Sequence, residues 1–357
     1  MNSGCTPSSG ARVASVLLVF ALGGCASVTP QKIPVDRLEY GQVLADSWKR
    51  QTLLNVVRLR YGDAPMFLDV ASVINSYSYG SKAIAKGQFP SRIDPNVLEF
   101  SSEGTWSNTP TVTYQPLMGA RFTTSLLQPV APSWILRLVQ SGWSVDLVLR
   151  TVLRSVNGLR NASSSADADP RFDELVETLG RIQAAGGLDT RVRPQKDGTA
   201  LLMVLPDDPR DPPSLRSDRA RLASLLGVRS DATELEVVYG RSAQGDAEIA
   251  MLTRSMLELM LELGFDVELP AGDVRDGSAL AGRGRPVEHA ARRHVRVRSG
   301  EEAPADAYAA VSYRSHWFWI DDNDIGSKSV FTFLLILFSL AETGQPAVAP
   351  LVTVPSR

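Results

Sequence analysis

Three histidines, His289, His294 and His316, are all the imidazole this chain contains. No two of them stand at the His-x-x-x-His spacing that puts two ring nitrogens on one helix face, so a zinc hydrolase has no ligand set. Serine chemistry meets a similar gap. The stretch GRSAQG, residues 240–245, approaches a nucleophile elbow, but Gln244 stands where the elbow needs glycine. GRGR, residues 282–285, lacks the lysine and the flanking strand and helix of a phosphate-binding loop. The chain therefore offers no catalytic constellation, no cofactor site and no metal site, and a non-enzymatic role is expected.

Two charge clusters remain as candidates for interaction. Asp321-Asp322-Asn323-Asp324 lies between an aromatic run and an apolar one. A calcium loop starting at Asp321 finds Asn323 third and Gly326 sixth, but Ile325 and Thr332 occupy the fifth and twelfth positions, where oxygen ligands are required. Capping of the helix that follows explains these residues better, because carboxylates satisfy free N–H groups and complement the positive helix end. The second cluster is basic: Arg283, Arg285, Arg292, Arg293, Arg296 and Arg298. In HVRVRS arginine alternates with valine, which places Arg296 and Arg298 on one strand face. Arg292, Arg293, Arg296, Arg298, Asp321, Asp322 and Asp324 are the interaction candidates. The basic group would meet phospholipid headgroups, an anionic polymer or an acidic partner, or else form a solvated strand face.

The N-terminus says where such an interaction takes place. Val13–Leu22 is a ten-residue apolar run, the length of a signal-peptide core and about half of a membrane span. Leu22-Gly23-Gly24-Cys25 follows, and it resembles the lipobox of Gram-negative bacterial lipoproteins with their type II signal peptides. The resemblance implies cleavage after residue 24 and acylation of Cys25, an anchor in the bilayer. Ala26, rather than aspartate, after the cysteine implies release to the outer membrane, with the fold facing the periplasm. Cys5 and Cys25 are the chain's two cysteines. With one removed and the other lipidated, no disulfide or thiol nucleophile is expected. Without Arg12, 36 basic residues face 39 acidic ones, a balance that argues against nucleic-acid binding.

Pattern divides the rest. After the signal peptide (1–24) and a tether (25–35), a helix-rich region (36–160) opens with an amphipathic helix, Asp36–Tyr61. Its stripe is Tyr40, Leu44, Trp48, Val56 and Leu59. Met66–Tyr79 reads as a strand. Val97–Ser102 and Thr111–Tyr114 read as a hairpin around EGTWSNTP, and Leu117–Leu159 as helices broken at Pro129, Pro132 and Gly142. NASSSADADP (161–170) reads as a surface linker.

An α/β-like region (171–270) starts with the stripe Phe172, Leu175, Val176, Leu179 and Ile182. It continues with a hairpin at Lys196-Asp197-Gly198, a helix at Leu215–Leu226, a strand at Glu234–Tyr239, a helix at Asp246–Leu263 and a strand at Phe265–Leu269. The last three suggest a parallel crossover. A mobile Gly/Arg loop (271–290) precedes a C-terminal part (291–357). That part has strands near His294–Arg298, Tyr308–Tyr313 and His316–Ile320, a helix, and a terminal strand Val348–Val354. Val330–Leu340 is too short to span a bilayer and reads as a helix buried in a core. The class is α+β, with mixed sheets packed against helices.

The blocks QTLLNVVRLRYGDAPMFLDVASV (51–73), TRSMLELMLELGFDVELP (253–270) and YRSHWFWIDDNDIGSKSVFTFLLILFSL (313–340) together resemble a family of uncharacterised bacterial lipoproteins. That resemblance implies one folded unit and no activity. In one helix, LRSDRARLASLLGV (215–228), the chain also faintly resembles OmpA-like peptidoglycan-binding domains, without the aspartate-bearing loop of that family. The expected function is an outer-membrane-anchored lipoprotein that binds or scaffolds another envelope component through a protein partner. The alternatives are an envelope hydrolase using Asp321–Asp324, or a protein that binds lipid, small ligand or peptidoglycan.

Overall fold

The structure is a computed structural model that describes residues 32–87, 98–163, 166–195, 198–280 and 295–342. The lipobox residues Leu22, Gly23, Gly24 and Cys25 lie outside these, as do the Lys196–Asp197 turn, Arg283, Arg285, His289, Arg292, Arg293, His294 and the strand expected at Val348–Val354. The chain forms two units, Met1–Arg50 and Gln51–Arg357.

Helix α1 (Lys32–Arg60) runs through the boundary. Its first part, within Met1–Arg50, exposes Leu38, Val43 and Leu44, and carries an Asp46–Lys49 ion pair at 2.6 Å. Leu44 was expected on a buried stripe and is exposed. The part after Gln51 buries Leu53, Val56, Val57 and Leu59, so the apolar stripe is used here.

The strand expected at Met66–Tyr79 is longer. β1 (Leu68–Gly87) pairs antiparallel with β2 (Leu98–Pro116) along nearly its whole length. EGTWSNTP is thus not a turn; it lies inside β2, and Leu98–Ser102 and Thr111–Tyr114 belong to one strand, with Val97 outside the described residues. Threonines, an aromatic residue and alternating small polar residues suit a strand as well as a loop, which is why composition misled.

α2 (Gly119–Phe122) leads into a π-helical turn, Thr123–Leu127. α3 (Pro132–Gln140) and α4 (Val145–Val152) follow, separated at Gly142 as expected. β3 (Leu153–Val156) and β4 (Leu159–Arg160) replace the end of the expected helical stretch. Asn157 and Gly158 turn between them with φ of 44° and 81°, the left-handed pair that a two-residue hairpin needs.

Both ends of the expected linker are held by hydrogen bonds. Asn161 is buried, and its side chain donates to the Arg150 and Leu153 carbonyls at 2.7 Å each. Asp169 then caps α5 (Pro170–Ala184), accepting from the Arg171 N–H at 2.9 Å. All five stripe residues of α5 are buried.

β5 (Asp189–Gln195) and β6 (Gly198–Val204) pair antiparallel. α6 (Pro213–Leu226) packs on α5, tied by Arg221–Glu174 and Arg181–Asp218 ion pairs at 2.6 and 2.7 Å. A Cβ on Gly187 would stand 2.9 Å from Leu215, so glycine permits this approach.

β7 (Glu234–Tyr239) lies where expected; β8 (Glu248–Thr253) occupies the first half of the expected Asp246–Leu263 helix. The two strands are parallel, but residues 240–247 join them without a helix. α7 (Met256–Gly264) is shorter, and Phe265–Leu269 is not a strand, contributing only a bridge from Val267 to Val297. β8 buries consecutive residues Ile249, Ala250 and Met251, and an apolar run in a central strand has no period to separate it from a helix. The six-stranded sheet runs β4-β3-β8-β7-β6-β5, antiparallel except at β7/β8.

α8 (Ala271–Asp276) replaces the start of the expected Gly/Arg loop. β9 (Arg298–Gly300), β10 (Ala309–Tyr313) and β11 (His316–Ile320) form a three-stranded antiparallel sheet ordered β10-β11-β9. α9 (Ile325–Glu342) ends the described chain. Val330, Phe331, Phe333, Leu334, Leu337 and Phe338 are buried, while Leu335 and Ile336 are only half-buried. Phe67, Trp143 and Tyr308 rings pack on Phe338, Phe333 and Phe331 with centroids 5.3, 5.2 and 6.3 Å apart. Among the described residues no helix is long and apolar enough to cross a membrane. The class is α+β.

Candidate functional site

Arg296 and Arg298, the described arginines of the basic cluster, meet the acidic cluster where β11 leads into α9. Val295 and Val297 are buried while Arg296 and Arg298 are exposed, the alternation that the HVRVRS pattern predicts. β9 pairs with β11 so that Arg298 stands opposite Trp319. Arg298 Nε then lies 2.7 Å from Asp321 Oδ2, and Asp321 Oδ1 accepts from the Trp319 indole at 2.9 Å.

Asp324 caps α9. One carboxylate oxygen accepts the Ser327 N–H at 3.1 Å and the other accepts the Ser327 hydroxyl at 2.8 Å. Ser327 Oγ in turn accepts the Arg296 N–H at 2.8 Å, which joins the arginine segment to the cap. The Ser327 N–H bond is the main cause holding the Asp324 carboxyl below its ordinary range, with Arg296 and Arg298 adding attraction and burial opposing. Asp322 pairs with Lys328 Nζ at 2.7 Å, and that ammonium lies over the Tyr308 ring. Asp321, Asp322 and Asp324 are each engaged by a different neighbour. Among the described residues no group of three or more His, Cys, Asp or Glu is placed to hold a metal ion.

A second assembly was missed by the sequence reading. Arg314 and Ser315, with φ of 47° and 67°, make the two-residue turn between β10 and β11. Glycine or asparagine usually occupies such positions, so this turn carries strain. The Arg314 side chain compensates. It lies over the Tyr61 ring at 4.8 Å, reaches Asp63 at 3.2 Å, and donates to the Ser278 carbonyl at 3.3 Å. Tyr313 donates to Asp63, and Tyr61 donates to Asp273 at 2.5 Å. Burial chiefly, and then these carboxylates, push both phenols above their ordinary pKa. The YGD motif after α1 and the YRS turn are therefore halves of one clamp, and nothing short of their contact marks them as such. Arg60 beside it is buried over the Phe265 ring at 5.2 Å, with burial lowering its pKa.

Arg254 is the largest fully buried side chain. It donates to the Arg150 and Thr151 carbonyls at 3.1 and 2.7 Å, the orphan acceptors at the end of α4, and to Ala162 at 2.5 Å. Ser255 next to it caps α7 by accepting the Glu258 N–H. Ser255-x-x-Glu258 is a capping-box pattern that would have placed this helix start correctly, as Asn157-Gly158 would have placed the β3/β4 turn.

His316 lies half-buried at the start of β11, with Nδ1 3.2 Å from the Arg314 carbonyl. GRSAQG connects two strands. Of the three arginines in the helix compared with wall-binding domains, Arg219 is mostly buried and pairs with Asp211 at 2.7 Å. No protein-family model matches the chain, and neither a curated protein nor a solved structure is detectably similar to it.

Proposed function

We propose that this chain is a lipoprotein anchored in the outer membrane through acylated Cys25, and that its periplasmic domain binds or scaffolds another component of the cell envelope without catalysis. The observation that carries the proposal is the β1/β2 ribbon: a two-stranded sheet whose outer edges find no third strand among the described residues. Unpaired edge N–H and C=O groups are what strand-addition partners bind. The signal core and lipobox pattern support the anchor. The hydrolase alternative is disfavoured because Asp321, Asp322 and Asp324 are drawn into an ion pair with Arg298, an ion pair with Lys328 and a helix cap.

Crosslinking in living cells, with mass spectrometry of the tagged protein, tests it. Recovery of one envelope protein with it in near-stoichiometric yield is expected. Recovery of glycan or lipid fragments alone would overturn the scaffold proposal. The anchor is checked separately: Cys25→Ser should stop incorporation of labelled fatty acid and release the protein from the membrane fraction.

A further inference from the structure

We infer that the ribbon's partner is another copy of this chain, joined head to tail, with β1 of one copy beside β2 of the next. This rests on the ribbon being the docking element proposed above.

Length is the first reason. β1 has 20 residues and β2 has 19. At about 3.3 Å per residue the ribbon is roughly 60 Å long, whereas strands usually have about 3–10 residues. A two-stranded sheet is marginal by itself and gains stability from further strands. Folded proteins blunt free edges with bulges, prolines, short strands and charged side chains, lysine above all. Here the bulge between Val70 and Ser72, and Pro110 opposite Asn75, both lie in the half near Leu68 and Pro116. The outer half, residues 76–87 with 98–109, has neither.

Register gives the second reason. In the outer half, one alternating set comprises Tyr77, Tyr79, Ser81, Ala83 and Ala85, opposite Asn108, Trp106, Gly104, Ser102 and Phe100. It contains no charge. The other set includes Lys82 opposite Glu103 and Lys86 opposite Glu99. Every charge of the outer half belongs to this second set, with β1 supplying only lysine and β2 only glutamate.

The sign of that asymmetry chooses the mode of association. Pairing β1 with β1 of a second copy sets lysine strand beside lysine strand; pairing β1 with β2 of a second copy repeats the Lys/Glu arrangement already present inside each ribbon. Opposite charges across a strand pair stabilise and like charges oppose. Ribbons pointing the same way then alternate antiparallel strands. Such a heterologous contact closes into a ring or grows as a filament, and closure removes every free edge.

The test uses the purified full-length chain in detergent. Light scattering should give an assembly of more than two copies. A variant in which Val70 is joined to Tyr114 through Asn-Gly keeps the base of the ribbon; it should melt within a few degrees of the parent and run as a monomer. Differently tagged copies are then mixed, one carrying Lys82→Cys and the other a cysteine at Glu99, Ser101, Glu103 or Thr105. Oxidation should give a mixed disulfide with at least one partner, beyond the background of the parent chain. Any of three results overturns the inference: a monomeric full-length chain, an assembly that survives ribbon shortening, or a Lys82→Cys homodimer as the main product. A monomer whose ribbon crosslinks to a different envelope protein in cells would overturn it while leaving the scaffold proposal standing.

Discussion

Arg298 Nε lies 2.7 Å from Asp321 Oδ2, so the basic and acidic clusters form one ion pair at the start of α9. Neither group is deeply buried; the arginine side chain is 45% exposed and the aspartate 21%. Such pairs contribute about 0.5–1 kcal/mol. A double-mutant cycle of Arg298→Ala and Asp321→Ala, read by urea denaturation, should return a coupling of that size and shrink in high salt. A coupling near zero would return Arg298 to the solvated strand face as an interaction residue.

Asp324 and Asp322 should behave differently. Asp324→Ala removes the α9 cap and should cost about 1 kcal/mol. Asp322→Ala removes an exposed pair and should cost half of that or less. Asparagine caps nearly as well as aspartate, so Asp324→Asn should be almost silent in the same melts. Equal losses at 322 and 324 would show that the cap is not the main role.

Acid should weaken that cap. The folded-state pKa of Asp324 is depressed, so its contribution is present above the unfolded carboxyl pKa of about 4 and is lost as pH falls through the lower folded value. Melting curves from pH 6 to 2 should show a smaller acid loss for Asp324→Ala than for the parent. Identical acid profiles would exclude this assignment.

The tyrosine clamp has the opposite sign. Tyr61 and Tyr313 are raised above ordinary phenols, Tyr61 chiefly by burial and then by Asp273, Tyr313 chiefly by burial and then by Asp63. Their contribution is complete below the unfolded phenol pKa of about 10 and declines as pH rises beyond it. Phenolate absorbance should show two late-titrating tyrosines. Tyr61→Phe and Tyr313→Phe should each remove one and flatten the loss of stability between pH 9 and 11.

Arg254→Met keeps bulk but leaves the carbonyls of Thr151 and Ala162 without this donor, and that of Arg150 with Asn161 alone. Leaving buried groups unpaired at this site should destabilise the domain by about 3 kcal/mol. Faster amide exchange around residues 150–163 is the accompanying sign. A loss below 1 kcal/mol would mean that the segment stays in place without Arg254.

Elements with a period of their own were legible before folding. The α5 stripe from Phe172 to Ile182 and the strands Glu234–Tyr239 and His316–Ile320 declare themselves, because one buried face imposes its repeat on the residues, while α9 was marked by the length of its apolar run. Asp324 as a cap was legible for a similar reason: capping is local, and its partner Ser327 is one turn away. β8 was not, since a strand buried on both faces has no repeat to display. The β1/β2 pairing also escaped. A strand's residues state that they are extended, not which neighbour they will find, and Leu98–Pro116 looked like two strands and a turn until its register with Leu68–Gly87 was known. The joining of Arg298 to Asp321, and of Tyr313 and Arg314 to Asp63, belongs wholly to tertiary structure. Side-chain type determines what a charge or phenol can bind, but only the packing of distant elements decides which partner comes within reach, and here it assigned the apparent chemistry of the sequence to holding the fold together.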